Sequence, residues 1–533
     1  MEASLVFGVT ALSIVLFYWL RRASLYSADW LFQGESWTLT AADAVLKGQS
    51  LYRDIQWNYG PFPIYYYAAF AALFGNTPVT LIASNALLYS TALGCFYVAA
   101  ARCMTRFWAI AGLALTTLPL VIGASELAEN TAPFELLFLS IVAALYLPPG
   151  KRSCKRSLLL GALCGAMQWS KFGSGVVAAI SVVLVDLMAQ TRSEDGAPKG
   201  ASWANLLAGV SGFLLLEGAR LAYHFSTLPR PYALDAAFPL YHREWYSSYV
   251  TPAIRFPRYE SLGFLLGVQL PAIAGFACGL GICASAFFGG KGRGSRFPAF
   301  PYALCLPPLF YFLGCIGYFR HMYHFYEYSL LLGVPMVYIF ARTKLVGRMG
   351  VIAVMVPMIG SIGRGVWRDT RSVNSSVQSV ALLHGTHLLL NPRDREFVAD
   401  LARQLARYDV RPGGRPVVSF PSGDGLEYFL GFPRVGRHSH VERVLMRPYE
   451  RLEYFRQVSS SAGILLLSQA VLEKDVRLNP NKAAVAVFSI FTADQDHALM
   501  ELMKPPVFIG DRAVFIPFGA PPSAGGATLP AKG

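Results

Sequence analysis

"WLFQGESWTLTAADAVLKGQSLYRDIQWNYGPFPIYYY", residues 30–67, lies between an apolar run at 4–20 and another at 78–101. An insert of this length far exceeds the few residues needed to turn the chain between neighbouring helices. It holds Glu35, Asp43 and Asp54, and closes on two prolines and three tyrosines. Its first part therefore reads as a folded polar loop. Its end, "PFPIYYYAAFAALFG" at 61–75, is short for a span and suits a helix lying at a membrane interface.

The rest of the chain supports that setting. Of 533 residues, 54% are hydrophobic and 15% charged, with 36 Phe and 27 Tyr, more apolar surface than one water-soluble core would bury. Runs of spanning character occur at roughly 4–20, 78–101, 107–123, 132–148, 157–170, 173–190, 203–225, 262–289, 299–318, 325–341 and 349–363. This gives about eleven helices if the N-terminus starts inside.

The formal charge of +14 would fit nucleic acid, but the basic residues collect in alternate loops and no nucleic-acid signature is present. Arg102 and Arg106, "KRSCKR" at 151–156, Arg192 and Lys199, "KGRGSR" at 291–296 and "RTKLVGR" at 342–348 all fall on the predicted cytoplasmic side. Residues 21–77, Lys171, the 226–260 loop, "RHMYH" at 320–324 and everything after 364 then share the extracytoplasmic side. Arg21 and Arg22 oppose this register. Placing them inside makes 61–76 an extra span, for twelve helices, and puts the opening stretch in the cytoplasm.

The run at 5–20 has neither basic residues before it nor a cleavage site after it, and reads as an uncleaved helix. The eight cysteines are scattered without a CxxC pair, and all precede residue 316, so the tail has no Cys-based metal site or disulfide. The expected organisation is a transmembrane domain over 1–363, with its first extracytoplasmic loop at 21–77, and an extracytoplasmic α/β domain over 364–520. Short runs such as "RPVVSF", "AGILLLS", "AAVAVFSIF" and "RAVFIPF", alternating with helical patterns, mark that second domain. Residues 521–533 read as a disordered tail.

These residues carry a resemblance. Glu35 after a glycine, the Ala-rich "TAADAVLKGQSLYRD", and "YGPFPIYYYAAFAALFG" resemble the first extracytoplasmic loop of the GT-C glycosyltransferases, particularly bacterial relatives of the protein mannosyltransferase and aminoarabinose transferase group. "LLLGALCGAMQWSKFG" at 158–173 is similar to a Gly-rich helix ending in Lys in that family, and "RHMYHFYEY" at 320–328 shows a fainter similarity. The resemblance implies an α-helical polytopic membrane enzyme in the inner membrane. Its activity would be inverting transfer of a sugar from a polyprenyl-phosphate donor to an acceptor hydroxyl at the extracytoplasmic face. Donor and membrane lipids are the implied partners, and the acceptor is left open.

Such chemistry needs a carboxylate against the hydroxyl and positive charge against the departing phosphate. The resemblance points to Glu35 as base, with Asp54 second. The family often has an Asp-Glu pair where this chain has Gly34-Glu35, with Asp29 upstream. Lys171, Arg320, His321, His324 and Arg53 are the expected phosphate contacts, and Glu126 and Glu129 could help place an acceptor. With no DxD in the first loop, basic side chains are favoured over a divalent metal, and no cofactor is expected. The competing readings for each group are a solvated loop carboxylate, a helix cap or an interfacial anchor. A flippase or transporter of lipid-linked glycans, and a polysaccharide polymerase or ligase, are the alternative functions.

Overall fold

A computed structural model of the protein describes residues 35–57, 59–113, 131–147, 152–190, 203–238, 277–284, 302–317, 378–381, 387–420, 424–436, 448–467, 491–510 and 512–519, with a few single positions in other apolar runs. In chain order the principal elements are α1 (Glu35–Leu46), α2 (Phe62–Phe74), α3 (Pro78–Ala101), α4 (Ala132–Leu145), α5 (Cys154–Gln168), α6 (Ser174–Gln190), α7 (Trp203–Thr227), α8 (Arg230–Ala237) and α9 (Tyr302–Gly317). There follow β1 (Gln378–Ala381), β2 (His387–Leu390), α10 (Pro392–Ala406), β3 (Val418–Phe420), α11 (Asp424–Leu430), α12 (Pro448–Ser459), β4 (Gly463–Leu467), α13 (Ala493–Leu502), β5 (Val507–Ile509) and β6 (Ala513–Pro517). The molecule is thus helical with a small sheet. It divides into two compact units, Met1–Ser24 with Trp57–Val373, and Leu25–Gln56 with Asn374–Gly533.

The first unit is the apolar bundle. α3 coincides with the expected run at 78–101, because Thr77 starts it by accepting from the Thr80 N–H at 3.1 Å and Pro78 suits the first turn. α3 and α7 are long and apolar enough to cross a membrane. α7 leaves Leu206, Leu207, Val210, Leu214 and Leu215 exposed, a surface suited to lipid. The shared core takes Tyr89, Leu93 and Phe96 from α3, Leu136 and Leu139 from α4, Leu160 and Met167 from α5, and Leu304 and Leu306 from α9. α2, at 13 residues, is roughly 20 Å long, short of the ~30 Å hydrocarbon core. The expected runs at 4–20, 262–289, 325–341 and 349–363, and 114–123 of the third, lie mainly outside the described residues.

Glycine sets a close contact between α5 and α7. A Cβ on Gly161 of α5 would stand 1.8 Å from the carbonyl oxygen of Gly209 on α7, and one on Gly212 would stand 2.1 Å from that of Leu158. Backbones at this separation need small residues on both helices, as in tightly packed membrane pairs. At the N-terminal end of α5, basic side chains cap α4. Arg102 donates to the Ala144 carbonyl at 2.5 Å and Arg156 to that of Leu145 at 2.6 Å, satisfying carbonyls the helix leaves open. Arg152 pairs with Asp186 of α6, whose other oxygen accepts from Tyr146 at 2.8 Å. Three of the arginines assigned to one face by charge therefore gather at one end of this bundle.

The second unit holds a four-stranded sheet in the order β3-β4-β6-β5, parallel between β3 and β4 and antiparallel elsewhere, and a separate β1-β2 pair. Three of the short apolar runs form β3, β4 and β6. β4 and β6 are buried along their whole length, so they lack polar alternation. Val458, Leu499, Ile464, Leu466, Val514 and Ile516 build its core. "AAVAVFSIF" at 483–491 and the tail at 521–533 fall outside the described residues, save Phe491. The sequence reading grouped all of 21–77 with the bundle. The structure places Leu25–Gln56 in the sheet-containing unit, because α1 packs on α11 there.

Candidate functional site

In the bundle, the site builds from the turn joining α5 to α6, Trp169–Gly173, which carries Lys171. The Gln168 side chain closes it: Oε1 accepts from the N–H of Gly173 at 2.7 Å and of Gly175 at 3.1 Å. These are donors that the start of α6 would otherwise leave open. A second layer comes from the segment before α2. The Gly60 N–H donates to the Ser170 carbonyl and the Phe62 N–H to that of Trp169, both at 3.0 Å. A Cβ on Gly60 would meet the Trp169 carbonyl oxygen at 1.9 Å, so only glycine brings the segment this close. Trp57 Nε1 donates to the Gly60 carbonyl at 2.8 Å, folding the approach onto itself.

Side chains from three more helices fix the surroundings. Ser174 donates to Oε1 of Glu135, a fully buried carboxyl in the first turn of α4. Trp169 Nε1 donates to the Leu216 carbonyl of α7 at 3.0 Å, and its ring lies 5.7 Å from that of Tyr223. Tyr223 meets the Tyr65 hydroxyl of α2 at 2.6 Å. Arg220, buried, pairs with Glu217 at 2.6 Å, donates to the Ala237 carbonyl of α8 at 2.9 Å and stands 5.5 Å from the centre of the Phe172 ring. Lys171 is half-buried in this frame. Gln168 Oε1 takes the N–H groups of both Gly173 and Gly175, so the start of α6 offers neither of them to an anion.

In the other unit, Glu35 opens α1; its placement is on the helix backbone at the first turn. Asp54 has a structural occupation. Its carboxylate accepts from the Ser50 N–H at 2.8 Å, the Asp54 N–H returns to the Ser50 carbonyl at 3.0 Å, and Arg53 grips it through Nε and Nη2, both at 2.8 Å. The Arg53 hydrogen bond holds the Asp54 carboxyl below its ordinary range. Tyr52, in left-handed backbone at φ 69°, completes this tight turn. Arg53, expected at a phosphate, lies beside Asp54, and Asp43 pairs with Lys47 at 2.5 Å.

Asp29, Glu126, Glu129, Arg320, His321 and His324 lie outside the described residues. Among the described residues no group of three His, Cys, Asp or Glu side chains is placed to hold a metal. Sequence reasoning missed Gln168, Glu135 and Arg220. The pair Glu217-Arg220 inside an apolar run was the available signal for the last, since charges one turn apart in a span face a partner or a cavity. Glu135 and Gln168 carried no comparable mark.

No family model matches the chain, and no curated protein matches it in sequence. Solved structures do. The Archaeoglobus fulgidus oligosaccharyltransferase tethered with an acceptor peptide superposes with a TM-score of 0.47 at 12% identity, covering 96% of this chain and 74% of its own. ArnT from Cupriavidus metallidurans bound to undecaprenyl phosphate gives 0.50 at 14% identity, covering 98% of this chain and 99% of that one. Its apo form gives 0.50 at 14%, over 96% and 98%. The chain has the GT-C fold. Within this fold the Lys171 turn, Gly60 and the aromatic contacts of α2 belong to the apolar bundle.

Proposed function

We propose that this GT-C protein is an inverting glycosyltransferase that moves a sugar from a polyprenyl-phosphate donor to an acceptor hydroxyl at the extracytoplasmic face of the inner membrane. The observation that carries the reading is likeness over nearly the whole chain to a structure holding undecaprenyl phosphate. The built turn around Lys171 adds to it. Glu35 accepts the proton of the acceptor hydroxyl while its oxygen attacks the anomeric carbon. The bond from that carbon to the phosphate oxygen breaks, and the lipid phosphate leaves with the electron pair. Lys171, with Arg320, His321 and His324, neutralises the charge that grows there. These cations serve in place of a metal.

Asp54 is a weaker second base, because its carboxylate already accepts from Ser50 and Arg53. Purified protein assayed with defined undecaprenyl-phosphate monosaccharides tests the reading. Glu35→Gln should reduce turnover by about a thousandfold or more with the protein still monodisperse in detergent. Lys171→Ala should weaken donor use more than acceptor use. Wild-type turnover by Glu35→Gln would remove Glu35 from the role of base.

A further inference from the structure

A helix early in the chain packs on one from its tail. α1 is buried from Ser36 to Ala42, with Leu39, Ala41 and Ala42 fully enclosed, although it lies in a polar loop by sequence. Its packing partner is α11, whose Asp424, Leu426, Tyr428 and Phe429 are buried in turn. Thr40 Oγ1 donates to the Asp424 carbonyl at 3.0 Å, across 384 positions of sequence. Small side chains on α1, Ser36, Thr40, Ala41 and Ala42, allow a close approach.

A charged seam runs beside that contact. Glu427 of α11 pairs with Arg434 at 3.3 Å and feels the charges of Asp43 and Lys47 on α1. α11 is itself fixed to the sheet, since the Val417 N–H, one residue before β3, donates to the Pro433 carbonyl at 3.0 Å and Ala462, at the head of β4, donates to Pro416 at 2.8 Å. A continuous set of contacts therefore links the tail's sheet to the helix that opens with Glu35.

We propose that the C-terminal domain is a positioning element for the reaction: α11 clamps α1 and thereby fixes the helix backbone that carries Glu35. This rests on the glycosyltransferase reading with Glu35 as base. Thr40 is the positioning residue on the loop side. Losing its hydroxyl lets α1 loosen on α11 without touching the donor's contacts.

The test uses the full-length protein with Thr40→Val, which keeps the shape and removes the hydroxyl, and Thr40→Ser, which restores it. Hydrogen exchange across 36–46 should speed up by about fivefold in Thr40→Val, with β4 and β6 still protected, and return to wild type in Thr40→Ser. With undecaprenyl-phosphate monosaccharides, kcat should fall by about the same factor while donor KM stays within roughly twofold. Unchanged exchange and kcat in Thr40→Val overturn the clamp.

A second measurement guards against a variant that fails to fold. Asp43→Cys with Glu427→Cys, treated with a short bismaleimide, should join the two peptides by mass spectrometry and keep the turnover of the unlinked double variant. Absence of the link, or its formation with loss of turnover, overturns the proposal. If Glu35→Gln retains activity while Thr40→Val still loosens α1, the base assignment has failed and the clamp has not.

Discussion

The backbone N–H of Gly60 lies 3.0 Å from the carbonyl oxygen of Ser170, joining the entrance of α2 to the turn that carries Lys171. The approach leaves no room for a side chain, because the first carbon of one would stand 1.9 Å from the Trp169 carbonyl. Gly60→Ala must push the two backbones apart, at a cost of about 1–3 kcal/mol. Fluorescence-detected chromatography after heating should show a lowered melting point. Donor KM should rise although Lys171 is intact.

Gln168 accepts two N–H groups in the same turn. Gln168→Leu leaves both without their acceptor in a packed setting, costing about 1–3 kcal/mol for each that water does not reach. Thermal unfolding in detergent should report the loss, and Gln168→Glu, which keeps an acceptor, should recover most of the stability.

Arg220 is buried, pairs with the half-buried Glu217 and holds the Ala237 carbonyl of α8. Arg220→Leu strips the half-buried Glu217 carboxylate of its partner and leaves the Ala237 carbonyl without its donor, costing about 1–3 kcal/mol. Arg220→Leu combined with Glu217→Leu should recover much of that, since neither charge then remains in apolar surroundings. A melting series of wild type, single and double variants in one detergent measures the recovery.

Asp54 supplies a pH signature. Arg53 and the Ser50 N–H favour its charged form, so its folded pKa lies below the unfolded value of about 3.9. A depressed carboxyl contributes stability that is present above the unfolded value and is lost as pH falls through the folded one. Hydrogen exchange in the 50–55 turn should therefore accelerate below about pH 3.9 beyond its intrinsic rate. Asp54→Asn should show high exchange at every pH, with no such step.

Metal removal separates two ways of neutralising the leaving phosphate. With cationic side chains in that role, turnover after exhaustive chelation should stay within about twofold of the untreated enzyme, as expected when no coordinated metal carries the developing charge. Restoration of a lost activity by Mg²⁺ or Mn²⁺ would instead assign that charge to a metal.

The elements that were legible are those whose signal is local. The run at 78–101 became α3 because an unbroken apolar segment starts at Thr77-Pro78, and 203–225 became α7 for the same reason of length and composition. β3, β4 and β6 were visible as short apolar runs between helical patterns. Lys171 could be placed after a Gly-rich helix from the sequence. The reason for the glycines, contact of α5 with Gly209 and Gly212 of α7, could not.

Amino-acid order by itself determined an apolar helical bundle, a mixed tail domain, and the position of Lys171 at a helix end, because hydrophobic period, caps and glycine act within a few residues of where they are written. Tertiary structure decided that α1 packs on α11, that Asp54 closes a turn with Ser50 and Arg53, and that Gly60 lies on the Lys171 turn. Such choices depend on shape and on hydrogen-bond partners up to 384 positions away, and no residue carries a local mark of a partner that distant.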